Sequence, residues 1–195
     1  TTFARARLNW RRTLDNGIGV ELRAGGDGLR RRSQAEFSGF DATGTAVLSE
    51  QVASRTDERT PVLAGKLRWP YSEAHALAFG FDADRNERRE SRSQRQASPT
   101  GRPTVDLDEA FESLVERGAL YLQDEWFPSD AVSVYAGARW TTLRTLTSGT
   151  GLAETGGRFE AFSPVLQALW KPGGAESGNG SSSGPQLRLA LSRSW

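Results

Sequence analysis

The sequence contains no cysteine and no methionine, and His75 is its only histidine. The lack of cysteine excludes disulfide frameworks, thiolate nucleophiles and zinc–cysteine sites. A single histidine excludes a three-histidine metal site within the chain. No apolar run reaches the roughly 18 residues that a membrane-spanning helix needs. A membrane β-barrel stays possible, because its signature is an alternation of apolar and polar residues.

The chain also lacks a charge excess of either sign. It carries 25 basic and 24 acidic residues, a net charge of +1 over 195 residues. A nucleic-acid-binding protein would normally have a clear basic excess, so we predict no nucleic-acid partner. The length fits one domain, two at most. The first residues are Thr-Thr-Phe, which suggests a processed chain or an excerpt of a longer one.

Apolar and polar residues alternate through much of the chain. Between residues 4 and 14, Leu8 and Trp10 lie on one face while Arg7 and Arg11 lie on the other, and an Asp-Asn-Gly turn follows. This period of two predicts a β-strand, and the turn predicts a hairpin. The pattern predicts eight antiparallel strands in four hairpins. The other segments lie near residues 18–24, 63–71, 77–84, 120–126, 132–140, 165–170 and 187–192.

The connections predict two different ends. Tight turns join the first three strand pairs, whereas about 41–47, 96–110 and 148–158 read as longer polar connections. The fourth hairpin turn, 172–184, is a low-complexity Gly/Ser-rich stretch. Residues 84–96 are polar on both faces, so they can form a strand only where both faces meet water. One end of the predicted sheet is therefore apolar and the other is solvated.

Aromatic residues mark two levels on the predicted sheet. Most lie within a few residues of a tight turn, and the others lie about ten residues along their strands. Ten residues at about 3.3 Å each, tilted by about 45°, climb about 24 Å, close to the ~25 Å apolar band of an outer-membrane barrel. Aromatic girdles at both edges are typical of such barrels. The predicted membrane-interface girdle is Trp10, Trp69, Tyr71, Trp126, Phe127, Trp140, Trp170 and Trp195.

The face opposite the aromatic residues is too charged for a dry core. Burying an unpaired charge in a dry core costs roughly several kcal/mol, and a water-filled lumen avoids that cost. The predicted lumen-facing residues are Arg5, Arg7, Arg11, Glu21, Arg23, Lys66, Arg68, Asp82, Asp84, Gln123, Glu125, Arg139 and Arg188. A soluble sheet with one core face and one solvent face predicts the same alternation. That alternative does not explain the aromatic levels or the asymmetric connections.

Three other motifs are weaker indications of a metal-binding or anion-binding site. Asp82 and Asp84 could ligate Ca²⁺, but we expect them to pair with Lys66 or Arg68 of a neighbouring strand. Residues 25–28, Gly-Gly-Asp-Gly, lack the lysine and helix of a phosphate loop, and we expect a bulge or bend within a strand. The triplet 30–32, Arg-Arg-Arg, either binds phosphates of lipopolysaccharide or an anionic ligand, or forms a solvated rim.

Catalysis is not expected. His75 lies beside a tight turn at the predicted membrane edge, and no nucleophile, base and orienting group form a plausible set. We therefore predict no catalytic, cofactor-binding or metal-binding residue. An acidic stretch leads into the fifth strand and could contact a cationic ligand, although a solvated loop explains it as well. Its members are Asp106, Asp108, Glu109, Glu112 and Glu116.

A family resemblance rests on residues 119–195. The string ALYLQDEWFPSDAVSVYAGARW at 119–140 resembles a barrel hairpin of TonB-dependent outer-membrane receptors. That hairpin has a Tyr-x-Gln-Asp-Glu-Trp strand, a tight turn and a strand that ends Gly-x-Arg-Tyr; here Trp140 replaces the last residue. Thr141 departs from the acidic residue that often follows. Phe-Ser-Pro at 162–164, Trp-Lys-Pro at 170–172 and the strand at 189–195 resemble the next hairpin, although Val165 replaces its usual arginine.

The resemblance implies a segment of a 22-stranded transmembrane barrel, with all of 1–195 in one barrel domain. It implies an outer membrane of a Gram-negative bacterium, lipid and lipopolysaccharide around the barrel, and active uptake of a scarce ligand such as a siderophore or another metal chelate. The N-terminal plug domain and the segment that contacts the TonB system are absent from this sequence. Two alternatives stay open: a self-contained eight-stranded structural or adhesive barrel, and a soluble β-sandwich binding module.

Overall fold

The computed structural model describes residues 1–97, 105–172 and 185–193. They form one antiparallel sheet in which every strand pairs with its neighbours in chain order. Within the described ranges, no helix is long and apolar enough to cross a membrane. The strands are β1 (Thr2–Thr13), β2 (Gly19–Phe40), β3 (Ala46–Pro70), β4 (His75–Ala97), β5 (Val105–Ser129), β6 (Val132–Gly149), β7 (Leu152–Trp170) and β8 (Leu187–Ser192). The prediction of eight antiparallel strands is confirmed.

The described sheet is open, since β1 pairs only with β2 and β8 only with β7. A single sheet has no second layer to bury its side chains. In the described part only two apolar residues are buried, Ala78 and Ala119, at 3% and 6% exposure. Side chains on both faces therefore need an environment that this sheet alone does not provide.

The pairing register fixes which residues share a face. Trp10 pairs with Leu22, Leu22 with Gly65, and Gly65 with Phe81. The same rung continues through Leu120, Trp140 and Phe162. Because neighbours on a rung point the same way and residues two apart on a strand share a face, this rung defines an apolar face. The opposite face is called the polar face below.

The hairpins are staggered along the ladder. The rung through Gly19, at the end of β2, continues through Arg68, Ala78 and Gln123. It lies two residues from the end of β3 but six residues from the end of β5. A progressive stagger of this kind tilts the strands, as closure into a barrel requires. The end at which β1–β2, β3–β4 and β5–β6 turn is called the lower end, and the opposite end is called the upper end.

The upper end differs from the sequence prediction. The predicted loop at 148–158 is wrong, because β6 and β7 continue to Gly149 and Leu152 and leave only two residues between them. The β2–β3 connection is also tight. Asp41 accepts hydrogen bonds from the backbone N–H of Thr43 and Thr45, both at 2.9 Å. Polar residues stay in the ladder there because cross-strand partners and water satisfy both faces.

The segment 25–28 is also regular, since β2 pairs without a register shift from Gly19 to Gly39. The predicted bulge there is therefore wrong. Glycines further along allow close packing instead. A Cβ on Gly80 would meet the Tyr121 hydroxyl at 2.5 Å on the polar face, and a Cβ on Gly65 would meet the Phe81 ring at 2.5 Å on the apolar face. Each aromatic ring occupies the space of a missing side chain on the neighbouring strand.

Candidate functional site: the two faces of the sheet

The apolar face is uncovered along its length. Leu120 and Leu122 of β5 are 55% and 57% exposed, and Leu189 of β8 is 65% exposed. Monomeric soluble proteins rarely expose a contiguous apolar patch of more than a few hundred Å². A face of this size and continuity therefore needs lipid or protein against it.

The apolar face ends at a sharp charge boundary. Ten residues separate the lowest apolar-face residue from the charged residue at the boundary on β2, β3, β4, β5 and β7, and twelve separate them on β6. On these six strands, Asp124 at the lower edge of β5 is the one carboxylate or arginine that lies between them. The stretch between them is called the apolar band. The boundary broadly follows the stagger of the hairpins, so the band has a nearly constant height. The boundary residues are Arg30, Arg59, Arg85, Glu116, Arg144 and Glu160.

All residues predicted to face a lumen lie together on the polar face. Most of the charges are paired there. Asp27 holds Arg5 at 2.7 Å and Arg7 at 3.2 Å, and Arg11 contacts Glu21 at 2.9 Å. That this face lines a lumen stays a prediction.

The partners of Asp82 and Asp84 differ from those expected. Asp82 binds Arg139 of β6 at 3.1 Å, and Asp84 contacts Arg117 of β5 at 3.6 Å. Lys66 and Arg68 therefore do not serve as their partners, because the stagger places other arginines beside the carboxylates. In the described part no group of three or more His, Asp or Glu side chains is arranged to hold a metal ion.

The polar face retains cations without a carboxylate partner. Among the described residues, Arg23, Lys66, Arg68 and Arg188 make no ion pair. Gln123 accepts a hydrogen bond from the Tyr135 hydroxyl at 2.9 Å. The face therefore carries a positive excess at the level of the apolar band.

The predicted girdle residues divide into groups. Trp10, Trp69, Trp126, Trp140 and Trp170 lie on the apolar face. Tyr71 lies in the β3–β4 turn, where its ring meets that of Trp69 edge-on at 5.2 Å. Phe127 lies at a register shift in β5, and its N–H donates to the Ala74 carbonyl. Trp195 lies outside the described residues. A position at a membrane interface stays a prediction for the whole set.

Sequence reasoning missed a polar pair on the apolar face. His75 Nδ1 lies 2.8 Å from Asp124 Oδ2, and the imidazole stacks on the Trp126 ring at 5.8 Å. The signal in the sequence was Asp124 itself, a carboxylate at an apolar-face position between Leu122 and Trp126. Contact with His75 at the lower edge satisfies one oxygen of that carboxylate.

Above the boundary, ion pairs join neighbouring strands on the face that continues the apolar band. Asp57 binds Arg30 at 2.8 Å and Arg55 at 2.6 Å. Hydrogen bonds from Arg55 and Arg30 lower the pKa of Asp57 to about 2. The acidic stretch of β5 is a strand with arginine partners, not a loop: Arg95 binds both Asp106 and Asp108.

The family model described as "TonB dependent receptor-like, beta-barrel" matches residues 1–195. The chain belongs to this family. The expected family is therefore confirmed over the whole chain, including the part where the motifs were weak. The family comprises transport receptors and not enzymes, in agreement with the prediction of no catalytic site.

Solved structures give the same fold. The ferric yersiniabactin uptake receptor FyuA from Yersinia pestis aligns with a TM-score of 0.52 at 14% identity, covering 87% of this chain and 26% of that one. The ferric citrate transporter FecA aligns with a TM-score of 0.53 at 12% identity, covering 87% and 25%. The siderophore receptor PiuA from Acinetobacter baumannii aligns with a TM-score of 0.50 at 14% identity, covering 87% and 30%. No curated protein sequence matches.

The chain thus spans about a quarter to a third of the receptors that it matches. The eight-stranded sheet of the described residues is a segment of a TonB-dependent receptor barrel.

Proposed function

We propose that this chain forms part of the barrel wall of an outer-membrane receptor for TonB-dependent uptake. The observation that supports this proposal is the nearly constant height of the apolar band. Ten residues at about 3.3 Å each, with the tilt of about 45° typical of transmembrane barrels, rise about 24 Å. The outer-membrane barrels of Gram-negative bacteria carry an apolar band of about this height.

In this proposal the polar face lines the lumen. Its positive excess, with Arg23, Lys66 and Arg68 unpaired, suits an acidic plug domain supplied by the rest of a longer chain. The upper end then faces outward, since longer extensions are typical of the extracellular side. The ligand is a scarce solute such as a siderophore or another metal chelate, and the TonB system supplies the energy through the plug.

The mass of the native polypeptide tests the proposal first. An antibody against this segment is used to probe outer-membrane and soluble fractions, with and without boiling. We expect a heat-modifiable outer-membrane band three to four times heavier than 21.3 kDa. A heat-modifiable band at 21.3 kDa would support the self-contained eight-stranded barrel instead. A band confined to the soluble fraction would contradict both barrel hypotheses.

Uptake tests the transport step. Cells that lack the gene are compared with parent cells for accumulation of radioactive iron supplied as ferric citrate, a ferric hydroxamate or a ferric catecholate. We expect the deletion to abolish uptake of one chelate, and a protonophore to abolish the same uptake in parent cells. Unchanged uptake of all three chelates would contradict a role in iron acquisition and move the search to other ligands.

A further inference from the structure

Charges above the apolar band are unevenly distributed among the strands. On the apolar face of β5, β6 and β7, carboxylates outnumber arginines, and those of β5 pair with arginines of β4. The arginines of β4 on this face are all paired with carboxylates of β4 or β5. On β2 and β3, four arginines share the face with two carboxylates, Asp57 and the more distant Glu36. These four arginines form what we call the basic patch: Arg30, Arg32, Arg55 and Arg59. A local excess of this kind favours an anionic partner at the upper edge of the band.

Within the basic patch, Arg59 stands beside an open space. It pairs across the ladder with Gly28, and a Cβ placed on Gly28 would meet nothing within 4 Å. On the other side of Gly28 lies Ala4 of β1. Small residues therefore leave a niche over Gly28, with the Arg59 side chain at its edge.

Arg30 borders the same niche from above, since it lies two residues beyond Gly28 on the same face. Its Nε donates to Asp57 Oδ1 at 2.8 Å, which holds the side chain and leaves its terminal nitrogens for another acceptor. Arg59 makes no ion pair with any described residue and is exposed. The niche thus offers one oriented guanidinium and one unpaired guanidinium.

We propose that this niche binds a phosphate group of lipopolysaccharide. Guanidinium forks match phosphate oxygens geometrically, and charge-assisted hydrogen bonds of this type are about twice as strong as neutral ones. The niche lies where the apolar band meets its first charges, which is the headgroup level of the surrounding lipid. This inference rests on the proposed function, in which the upper end faces outward and its lipid leaflet is lipopolysaccharide. Basic residues at that level attract anionic headgroups.

A matched pair of double variants tests the charge. R32Q/R59Q removes two arginines of the apolar face, and R23Q/R31Q removes two of the polar face; none of the four forms an ion pair with a described residue. The full-length protein in detergent is titrated with bisphosphorylated lipid A, and bound phosphorus is quantified. We expect R32Q/R59Q to bind about tenfold more weakly and R23Q/R31Q to change less than twofold. Equal losses in both would overturn the site in favour of a bulk charge effect.

A shape variant tests the niche without changing charge. Gly28→Leu fills the open space, and Gly157→Leu adds the same side chain to the polar face of β7, where a Cβ would meet only the Thr145 hydroxyl at 3.6 Å. We expect about tenfold weaker lipid A binding for Gly28→Leu and none of that loss for Gly157→Leu. Wild-type binding by Gly28→Leu would overturn the niche.

Two controls separate the possible sources of failure. Inorganic phosphate at millimolar concentration is added to compete with lipid A; full displacement would overturn a lipid ligand in favour of a free anion. Heat modifiability and outer-membrane fractionation are measured on the same variants. If every variant is a folded outer-membrane barrel but lipid A binding does not differ among them, the niche fails and the proposed function stands. A wild-type protein that never reaches the outer membrane contradicts the proposed function itself.

Discussion

The lower and upper parts of this sheet share one hydrogen-bonded ladder but differ in what surrounds it. In the apolar band, leucine, phenylalanine and tryptophan cover one face and charges cover the other. Above the boundary, β2–β5 continue with polar residues on both faces, joined by contacts such as Asn86 to Glu58 at 2.8 Å. Backbone pairing is therefore indifferent to the environment, and the side chains alone mark where lipid should end and water begin.

A charge placed in the apolar band should cause the largest loss of stability. Leu122→Arg puts a guanidinium on the apolar face of β5, and Gln123→Arg puts the same group on the polar face one residue away. We expect Leu122→Arg to lower the free energy of unfolding by about 2–4 kcal/mol, the usual cost at a bilayer midplane. Urea unfolding of the full-length protein in lipid vesicles measures both variants. Equal effects of the two would contradict the assignment of faces.

Close packing inside the band should be the next most sensitive feature. Gly80→Val would push a side chain against Tyr121 and the backbone of Gly65. Overpacking of this kind typically costs about 1–3 kcal/mol. Gly28→Ala is the matched control, because open space surrounds that position, and we expect a change within about 0.5 kcal/mol. The same urea titration compares them, and a neutral Gly80→Val would show that the Tyr121 ring can move aside.

Ion pairs of the upper part should matter less individually. Arg89 contacts Glu112 at 3.3 Å, and both side chains are more than half exposed. Since exposed pairs contribute about 0–1 kcal/mol, Glu112→Gln should change the unfolding free energy by less than that. The losses of unfolding free energy can then be compared among the polar face, the apolar face and the upper part, which are represented by Gln123→Arg, Leu122→Arg and Glu112→Gln. A loss from Glu112→Gln as large as that from Leu122→Arg would contradict the account of the upper part.

The smallest effect concerns acid. Hydrogen bonds from Arg55 and Arg30 lower the pKa of Asp57 from 3.8 to about 2. A carboxyl group whose pKa is lowered by folding stabilises the protein at pH values above its pKa in the unfolded state. That stability is lost as the pH falls through its pKa in the folded state. The contacts of Asp57 should thus be unchanged down to pH 4, half lost near a pH of about 2 and absent well below it. The ¹³C chemical shift of the Asp57 carboxyl group measures this titration. We expect Arg55→Gln to move the midpoint of the titration to higher pH. A midpoint near pH 3.8 in the wild-type protein would contradict the contacts of Asp57 with the two arginines.

Sequence periodicity was sufficient to predict the strands wherever one face of the sheet is apolar. The strands at 63–71, 77–84, 120–126 and 132–140 were found because apolar residues recur at every second position, and the predicted faces agree with the register. Periodicity could not find the upper parts of β2, β3 and β7, since polar residues on both faces leave no alternation to detect. The loop expected at 148–158 was an error of this kind.

Side-chain partners were the other part that the sequence could not provide. Asp82 and Asp84 pair with Arg139 and Arg117, because the stagger of β4, β5 and β6 decides which charges meet. The contact between His75 and Asp124 joins residues 49 apart in the chain and depends on the same stagger. Without the register, alternation predicts the face on which a residue lies but not the residue that it contacts.

The central claim is that lipid covers one face of the sheet up to the charge boundary. A nitroxide scan along β3 tests it directly, since a chain without native cysteine allows single-cysteine labelling at each position from 55 to 69. In lipid vesicles, we expect oxygen accessibility to peak at Leu63 and Leu67 and that of a water-soluble nickel chelate to peak at Ala64 and Lys66. From Arg59 towards residue 55, the chelate should reach both faces. Equal chelate accessibility at Leu67 and Lys66 would contradict the claim.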